Sequence, residues 1–387
     1  MPRLQVNDAQ FSFFDGRTVQ LPNIDESFDK ILLIKGAIGS GKTLLLKAIA
    51  GVITPNSGVV EVNAEPYFLH SQSEFNFVTS AVGTELDFIG VNREPFAEYV
   101  DRDVSEFSGG QLKRLSVMIA LEAASGVLLL DEPLDMLDDV ESERMADYIV
   151  NASNRTPMII ATHSDSFDEY ADNIIVIGRQ TTPSLRATPP RRGTEELLLV
   201  ADKLFVHNTA EISLNLHRGE IVCLYGGNGS GKSLFVRTVA GIGRLEYRGG
   251  YEWHVDRAKR GICLQFPEHL IYQGTVAEEI ADTAGSANVD RVLSILDWHD
   301  RRNSSPFALS DGEKRKMYII SMLTKSEACI FDEPFAGLDS ATANFIIDNF
   351  IEARDSGKAI LYTANRRQDS LYADTTIVIA DSIRNPE

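Results

Sequence analysis

Cysteine is scarce in this 387-residue chain: Cys223, Cys263 and Cys329 each sit alone in an apolar, strand-like run. An odd, dispersed set fits neither a disulfide framework nor a metal-ligand spacing, so core packing is the expected role. No apolar run approaches the roughly 18 residues of a membrane span, and any membrane role would need a separate partner. The stretch Met1 to Asp8 has no apolar core and no small-residue cleavage pattern, so no export signal is expected and the chain is expected in the cytoplasm. Positive charge is in deficit: 37 Lys and Arg against 56 Asp and Glu leave a net charge of −19. That field repels polyanions at long range and disfavours general nucleic-acid binding, although a local basic patch stays open.

What the chain does have is glycine in two special places. Gly36-Ala37-Ile38-Gly39-Ser40-Gly41-Lys42-Thr43 fits the pattern GxxxxGK[ST], follows the apolar run Ile31 to Ile34 and opens a helical run, Leu44 to Ala50. On its own this could be a glycine turn between strand and helix. A second copy, Gly226-Gly227-Asn228-Gly229-Ser230-Gly231-Lys232-Ser233, follows Ile221 to Tyr225 and makes chance a poor explanation. In such a loop, glycines let backbone N–H groups surround β- and γ-phosphates, Lys42 or Lys232 adds a point charge, and the Thr43 or Ser233 hydroxyl can ligate Mg²⁺. The positive end of the following helix faces the same anion.

The two halves match at nearly constant offsets: Lys42 with Lys232 (190 apart), Val82 with Val276 (194), Ser108 with Ser310 (202) and Asp131 with Asp332 (201). A tandem duplication explains this, and 387 residues leave room for two ordinary cores. The segment Arg179 to Thr194, with Pro183, Pro189, Pro190 and several arginines, suits an extended connector. Domains are therefore expected over 1–178 and 197–387 with a linker over 179–196. Short apolar runs alternating with helical patterns predict an α/β fold in each half, a mainly parallel sheet flanked by helices. The expected strands are Ile31 to Lys35, Val127 to Leu130, Met158 to Ala161 and Ile174 to Ile177, then Ile221 to Tyr225, Cys329 to Phe331, Ala359 to Tyr362 and Thr376 to Ile379. Ligands of such sheets gather at the carboxyl ends of the strands.

Ser108-Gly109-Gly110-Gln111 reads as an N-cap with a capping box before an apolar helix, and Ser310-Asp311-Gly312-Glu313 repeats the logic with one glycine replaced. Uncovered N–H groups at such a helix start also make an anion site. Leu128 to Leu130 and Cys329 to Phe331 each end in two carboxylates, Asp131-Glu132 and Asp332-Glu333. The first of each pair can hold Mg²⁺ beside the phosphate loop, and the second can polarise an attacking water. His163 after the next strand can hydrogen-bond a γ-phosphate, and its counterpart is Asn365, which cannot carry the imidazole's charge.

This order of phosphate loop, Ser-Gly-Gly-Gln, Asp-Glu strand end and Thr-His resembles the ATP-binding cassette ATPases, in both copies and over nearly the whole chain. The resemblance implies ATP and Mg²⁺ as ligands and two composite sites formed head to tail within a pseudo-dimer of the two domains. One would join Gly36 to Thr43, Asp131, Glu132 and His163 to Ser310 through Glu313. The other would join Gly226 to Ser233, Gln265, Asp332, Glu333 and Asn365 to Ser108 through Gln111. Leu134 to Asp138 and Phe335 to Asp339 look like the loops that cross between halves. The family's Mg²⁺-sensing glutamine matches Gln265 in Gln265-Phe266-Pro267-Glu268. In the first copy, counting back from Val82 lands on Ser71, with Gln72 one place on and taken as the metal-sensing residue. Adenine stacking would fall to Phe13 or Phe14 and to Phe205 or His207. An Asp311 carboxylate about 6 Å from a phosphate charge would cost roughly 3 kcal/mol at an effective dielectric of about 20, most of it erased if it points outward or toward a basic neighbour.

The Thr275-Val276-Ala277-Glu278-Glu279 segment looks most like the ATPases of energy-coupling factor importers of vitamins or metal ions. That implies a separately encoded integral membrane partner and a peripheral place on the inner face of the cell membrane. Only 26 residues separate Val82 from Ser108 and 34 separate Val276 from Ser310, so the helical subdomain is expected to be short, which weighs against a full docking surface for that partner. The alternative is a soluble twin-cassette ATPase acting on ribosomes or nucleic acid, which the short connector and acidic chain disfavour. A DNA-repair cassette is disfavoured too, since no coiled coil or zinc module splits either copy.

Overall fold

A computed structural model describes residues 1–13, 18–36, 40–178, 193–206, 210–243, 245–265, 270–338 and 340–379. The chain divides into two compact units, Met1–Thr182 and Pro183–Glu387. Most of the expected connector, 179–192, lies outside the described residues, as do Phe14, Gly39, His207, Phe266 to Glu268 and Asp339.

In the first unit, five strands pair in parallel in the order Pro66–Leu69, Val127–Asp131, Met158–Thr162, Ile31–Lys35, Asn173–Val176. The three middle strands are buried along their whole length, as expected when both faces of a parallel sheet are covered. Alternate side chains serve different cores. Leu32, Ile34, Val127 and Leu129 pack with Leu45 and Leu46 of helix Lys42–Ile49 and with Leu4 and Val6 of an outer strand. Ile31, Leu33, Leu128 and Leu130 pack against Val117 and Leu121 of helix Gly109–Ala123 and Met145 and Ile149 of helix Asp139–Ala152.

The second unit repeats the parallel order with Arg260–Cys263, Ala328–Phe331, Ala359–Ala364, Ile221–Tyr225 and Thr375–Val378. Its three cysteines are buried in the core and form no disulfide among the described residues, and burial pushes the Cys223 and Cys329 thiols up to about 12. Both units are thus α/β, as expected from the sequence, with parallel sheets flanked by helices.

Two features were not expected. The short edge strands Pro66–Leu69 and Arg260–Cys263 extend the parallel sheets, and each unit carries a separate antiparallel sheet. In the first, Arg3–Ser12 pairs with Thr18–Gln20, Ile24–Ser27 and Ser57–Val62. In the second, Leu197–Val206 pairs with Ile212–His217 and Tyr247–Trp253. The long strand of each is bulged at a non-glycine residue of positive φ, Asp8 at 49° and Lys203 at 48°. Across each bulge sits a glycine, Gly58 or Gly249, whose added Cβ would lie 2.3 or 2.1 Å from backbone oxygen, so the close approach requires glycine.

The helical subdomain is short in both units. The first has Val82–Ile89 before the helix Gly109–Ala123, whereas the second has Val276–Ala284 and an additional helix, Val289–Leu296. A further difference concerns the turn after the acidic strand end, where Met136 has φ 69° and its counterpart Gly337 has φ 67°. A non-glycine residue in that left-handed region costs roughly 1–2 kcal/mol. Met136→Gly is therefore expected to stabilise the protein by about 1 kcal/mol, read as a higher thermal midpoint; a lower midpoint would refute the strain.

Candidate active site

The strand Ile31–Lys35 is buried to its last residue and Ile221–Tyr225 to all but its last. Lys42, 6% exposed, donates from Nζ to the Gly36 carbonyl at 2.7 Å. Lys232 donates to Gly226 and Gly227 carbonyls at 2.7 and 2.8 Å. A Cβ on Gly36 would lie 2.3 Å from the Ile177 carbonyl oxygen, and one on Gly226 would lie 2.8 Å from Ser230 Oγ. Gly41 and Gly231 precede their helices with φ near 100°, a left-handed turn that aims the first helical N–H groups at the loop. Gly229 is likewise left-handed at 79°.

In the first unit Thr43 Oγ1 donates to Asp131 Oδ2 at 2.8 Å. Asp131 is fully buried, and its Oδ1 has no hydrogen-bond partner. Burial, helped by the Glu132 charge and opposed by Thr43 and lysines, pushes its carboxyl up to about 6. In the second unit burial also raises the Asp332 carboxyl, against hydrogen bonds from Thr363 and Ser233. A buried carboxylate oxygen without a partner fits a hard cation that binds oxygen. Ser40 Oγ and Ser230 Oγ are buried without partners as well. Thr43 with Asp131, and Ser233 with Asp332, are the residues that would hold Mg²⁺, and the ion would neutralise phosphate charge when bound.

The second carboxylates are held in left-handed backbone, at φ 45° for Glu132 and 48° for Glu333, a strained conformation that the surrounding contacts must hold in place. Their partners differ. Glu132 Oε2 meets His163 Nδ1 at 3.0 Å and accepts the His163 backbone N–H at 3.2 Å, while Oε1 lies 3.4 Å from Lys42 Nζ. Burial pushes this carboxyl up, but His163 and Lys42 outweigh it and hold it below the ordinary range. Asp135 joins Glu132 and His163 in a trio whose ligand atoms lie within 4.8 Å of one another.

Glu333 instead accepts from Gln265 Nε2 at 2.9 Å. Burial and the Asp332 charge push it up to about 7, against Lys232, Arg315 and Arg366. Asn365 faces the phosphate loop, donating from Nδ2 to Asn228 Oδ1 at 3.4 Å. Sheet register confirms that it occupies the place of His163: Lys35 pairs with Thr162 and Tyr225 with Ala364, each one residue before.

Register also decides the glutamine position. Leu69 pairs with Leu130 and Cys263 with Phe331, so Ser71, not Gln72, stands where Gln265 stands. A buried cation on the next helix marks both positions: Lys113 donates to the Ser71 carbonyl at 2.8 Å and Arg315 to the Gln265 carbonyl at 3.4 Å. Gln72 sits one place beyond, its backbone N–H donating to His70 Nδ1 at 3.1 Å. The first unit therefore presents a serine, without an amide, where the second presents Gln265 to its carboxylate. Lys113 and Arg315 were not singled out from sequence; the available signal was a basic residue two places after Gln111 or Glu313, inside an apolar helical pattern.

Both capping boxes form. Ser108 N–H donates to Gln111 Oε1 at 3.1 Å and Gln111 N–H to Ser108 Oγ at 3.4 Å, with Gly109 and Gly110 in the first turn. Ser310 N–H donates to Glu313 Oε2 at 2.9 Å, Glu313 N–H to Ser310 Oγ at 3.3 Å, and Arg301 neutralises Glu313 at 2.6 Å, with Gly312 in the first turn. Asp311 has a basic neighbour, Lys314 Nζ at 3.1 Å, which offsets most of the repulsion expected of it. Of the adenine-stacking candidates that are described, Phe13 is 43% exposed and Phe205 is half-buried on the bulged strand.

The family model described as ABC transporter matches residues 23–135 and 209–336, well over half of the chain. A protein described as an ABC transporter ATP-binding protein in Bifidobacterium longum is 24% identical over 94% of this chain and 63% of its own length, so the chain spans less than two thirds of that relative. One so described in Staphylococcus aureus is 24% identical over 98% of this chain and 89% of its own. Among solved structures, the RNase-L inhibitor matches with TM-score 0.63 and 18% identity over 96% of this chain and 87% of that one. A chain in the structure of the archaeal ribosomal stalk protein aP1 with the ribosome recycling factor aABCE1 gives the same four values. The chain therefore belongs to the ABC transporter family, as an ABC ATPase with two cassettes in tandem.

Proposed function

We propose that this chain hydrolyses ATP with Mg²⁺ to drive conformational change in a separately encoded integral membrane transporter, of the energy-coupling factor type that imports a vitamin or metal ion. The observation that carries the hydrolytic part is the Glu132–His163–Lys42 cluster beside Asp131, which gathers a water-polarising carboxylate, a phosphate-binding cation and a metal-binding carboxylate at one strand end. The head-to-tail sandwich of two ATP molecules between the cassettes belongs to this proposal. So do the crossing loops Leu134 to Asp138 and Phe335 to Asp339 and the peripheral membrane location.

A separate membrane partner is supported by two features. Among the described residues no helix is long and apolar enough to cross a membrane. The segment that follows the first unit's edge strand exposes large apolar side chains, Phe75 at 70%, Val78 at 75% and Phe88 at 69%, and Leu270, Tyr272 and Phe307 are exposed in the second unit. Such side chains on a charged protein suit an apolar partner surface.

The second reading, a twin-cassette ATPase that acts on ribosomes, takes its support from one whole-chain structural likeness, in a complex of a ribosomal stalk protein and a ribosome recycling factor. The net charge of −19 weighs against it. Purification of the full chain from detergent-solubilised membranes and from ribosome pellets separates the two. A co-purifying multi-span protein whose presence raises Mg²⁺-dependent ATP turnover supports transport. Ribosomal RNA in the pellet, with turnover raised by ribosomes alone, replaces it with the second reading.

A further inference from the structure

Lys35 is the last residue of the strand Ile31–Lys35, directly before the phosphate loop, and its side chain is 7% exposed. A buried lysine is costly unless paired. Its ammonium pairs with Asp165 Oδ1 at 2.5 Å and Asp168 Oδ1 at 2.6 Å. Burial would lower the Lys35 pKa, but the two carboxylates outweigh it and raise it above the ordinary range. Both partners lie on the segment that begins with His163, two and five residues further on, and Asp165 is otherwise 90% exposed. The same segment is folded on itself by Ser164 N–H to Thr162 Oγ1 at 3.0 Å and Asp168 N–H to the Asp165 carbonyl at 3.1 Å.

The second unit serves as an internal control. By sheet register Tyr225 stands where Lys35 stands and Asn365 where His163 stands. The buried lysine thus accompanies the histidine and is missing where the histidine is missing. A lysine that only closed off the strand end would have no reason to reach two carboxylates of one loop and follow the identity of that loop's first residue.

We propose that Lys35 is a positioning residue that clamps the 163–168 loop through Asp165 and Asp168, holding the His163 imidazole against Glu132 at the first unit's site. This rests on the ATPase reading above for its catalytic consequence. It does not touch ATP; it acts through the histidine.

The test compares the full-length parent with Lys35→Met, Lys35→Arg and the double variant Asp165→Asn/Asp168→Asn. Steady-state ATP turnover at saturating Mg²⁺ is expected to fall about fivefold in Lys35→Met and in the double variant, with KM for ATP within about twofold of the parent. Lys35→Arg is expected to keep at least half of the parent turnover. Independently of activity, amide exchange in peptides spanning 163–170 is expected to quicken about tenfold in Lys35→Met without nucleotide, while the helix Lys42–Ile49 exchanges as in the parent. Unchanged exchange in 163–170 overturns the clamp, and so does a double variant with parental turnover, which keeps the question open to decision if Lys35→Met folds poorly. A parent without any ATP turnover overturns the proposed function instead, and the exchange comparison then decides the clamp alone.

Discussion

At pH 7, Glu132→Gln is expected to lower ATP turnover by at least tenfold, and Glu333→Gln by about threefold or less. The reason is the protonation state in which each carboxylate is held. A general base must be ionised to accept a proton, and a positioned base contributes about 10²- to 10⁴-fold. Glu132 lies between His163 and Lys42 and is held below the ordinary carboxylate range, so it is ionised throughout the neutral region. Glu333 is buried beside Asp332 and pushed up to about 7, so about half of it is protonated at pH 7, with the Gln265 amide as its partner. The sign follows directly: a base with a raised pKa gains competence as pH climbs through that value. The turnover that survives in Glu132→Gln, carried by the second unit, should therefore rise between pH 6.5 and about 8.5 by a larger factor than the turnover that survives in Glu333→Gln. Pre-steady-state and steady-state phosphate release across that range measures both. Equal losses at pH 7, or parallel pH profiles, would remove the asymmetry.

That asymmetry was only half visible in the sequence. Phosphate loops, capping boxes and acidic strand ends are local patterns in which spacing and chemistry coincide, and the buried parallel strands are continuous apolar runs, so both could be read without coordinates. His163 against Asn365 could be seen as a difference of residue type, but not that His163 would bind Glu132 while Gln265 takes that role for Glu333, because those pairs join residues 31 and 68 positions apart. The choice between Ser71 and Gln72 turns on one residue of register, which only the pairing of Leu69 with Leu130 fixes. The antiparallel sheets escaped for a different reason. In Arg3–Ser12 the alternation of Leu4 and Val6 is broken at the bulge before Ala9 and Phe11, so the period-2 signal never runs long enough to stand out. Edge strands such as Pro66–Leu69 are four residues long and open with proline, a poor strand signal by composition.

Asp131→Asn is expected to make the nucleotide-free protein more stable while removing Mg²⁺-dependent ATP binding from the first unit. Asp131 is fully buried, its Oδ2 accepts from Thr43 and its Oδ1 has no hydrogen-bond partner. Its folded-state pKa is about 6 against an ordinary 3.8, chiefly from burial. At about 1.4 kcal/mol for each tenfold change in proton affinity, that carboxylate costs the folded unit about 3 kcal/mol at pH 7. For an acid raised in the folded state the penalty is absent below the unfolded value, grows as pH climbs through 4 to 6 and is complete above. The asparagine carbonyl can still accept from Thr43, and its neutral amide removes the buried charge. The thermal midpoint of the ligand-free variant should therefore exceed the parent's by roughly 5 °C or more at pH 7, at about 2–4 °C per kcal/mol for a unit of this size, with the gain shrinking toward zero near pH 4. Addition of Mg²⁺ and ATP should restore the parent's lead, because the carboxylate's cost is recovered only when a cation occupies its free oxygen. Calorimetric titration of the variant in a Lys232→Ala background, where the second phosphate loop lacks its cation, should show Mg²⁺-ATP affinity at least tenfold below the matched Asp131 control. A variant that melts below the parent at pH 7 without ligand, or binds Mg²⁺-ATP as the control does, would show that Asp131 is a structural carboxylate whose burial serves the sheet and not the metal.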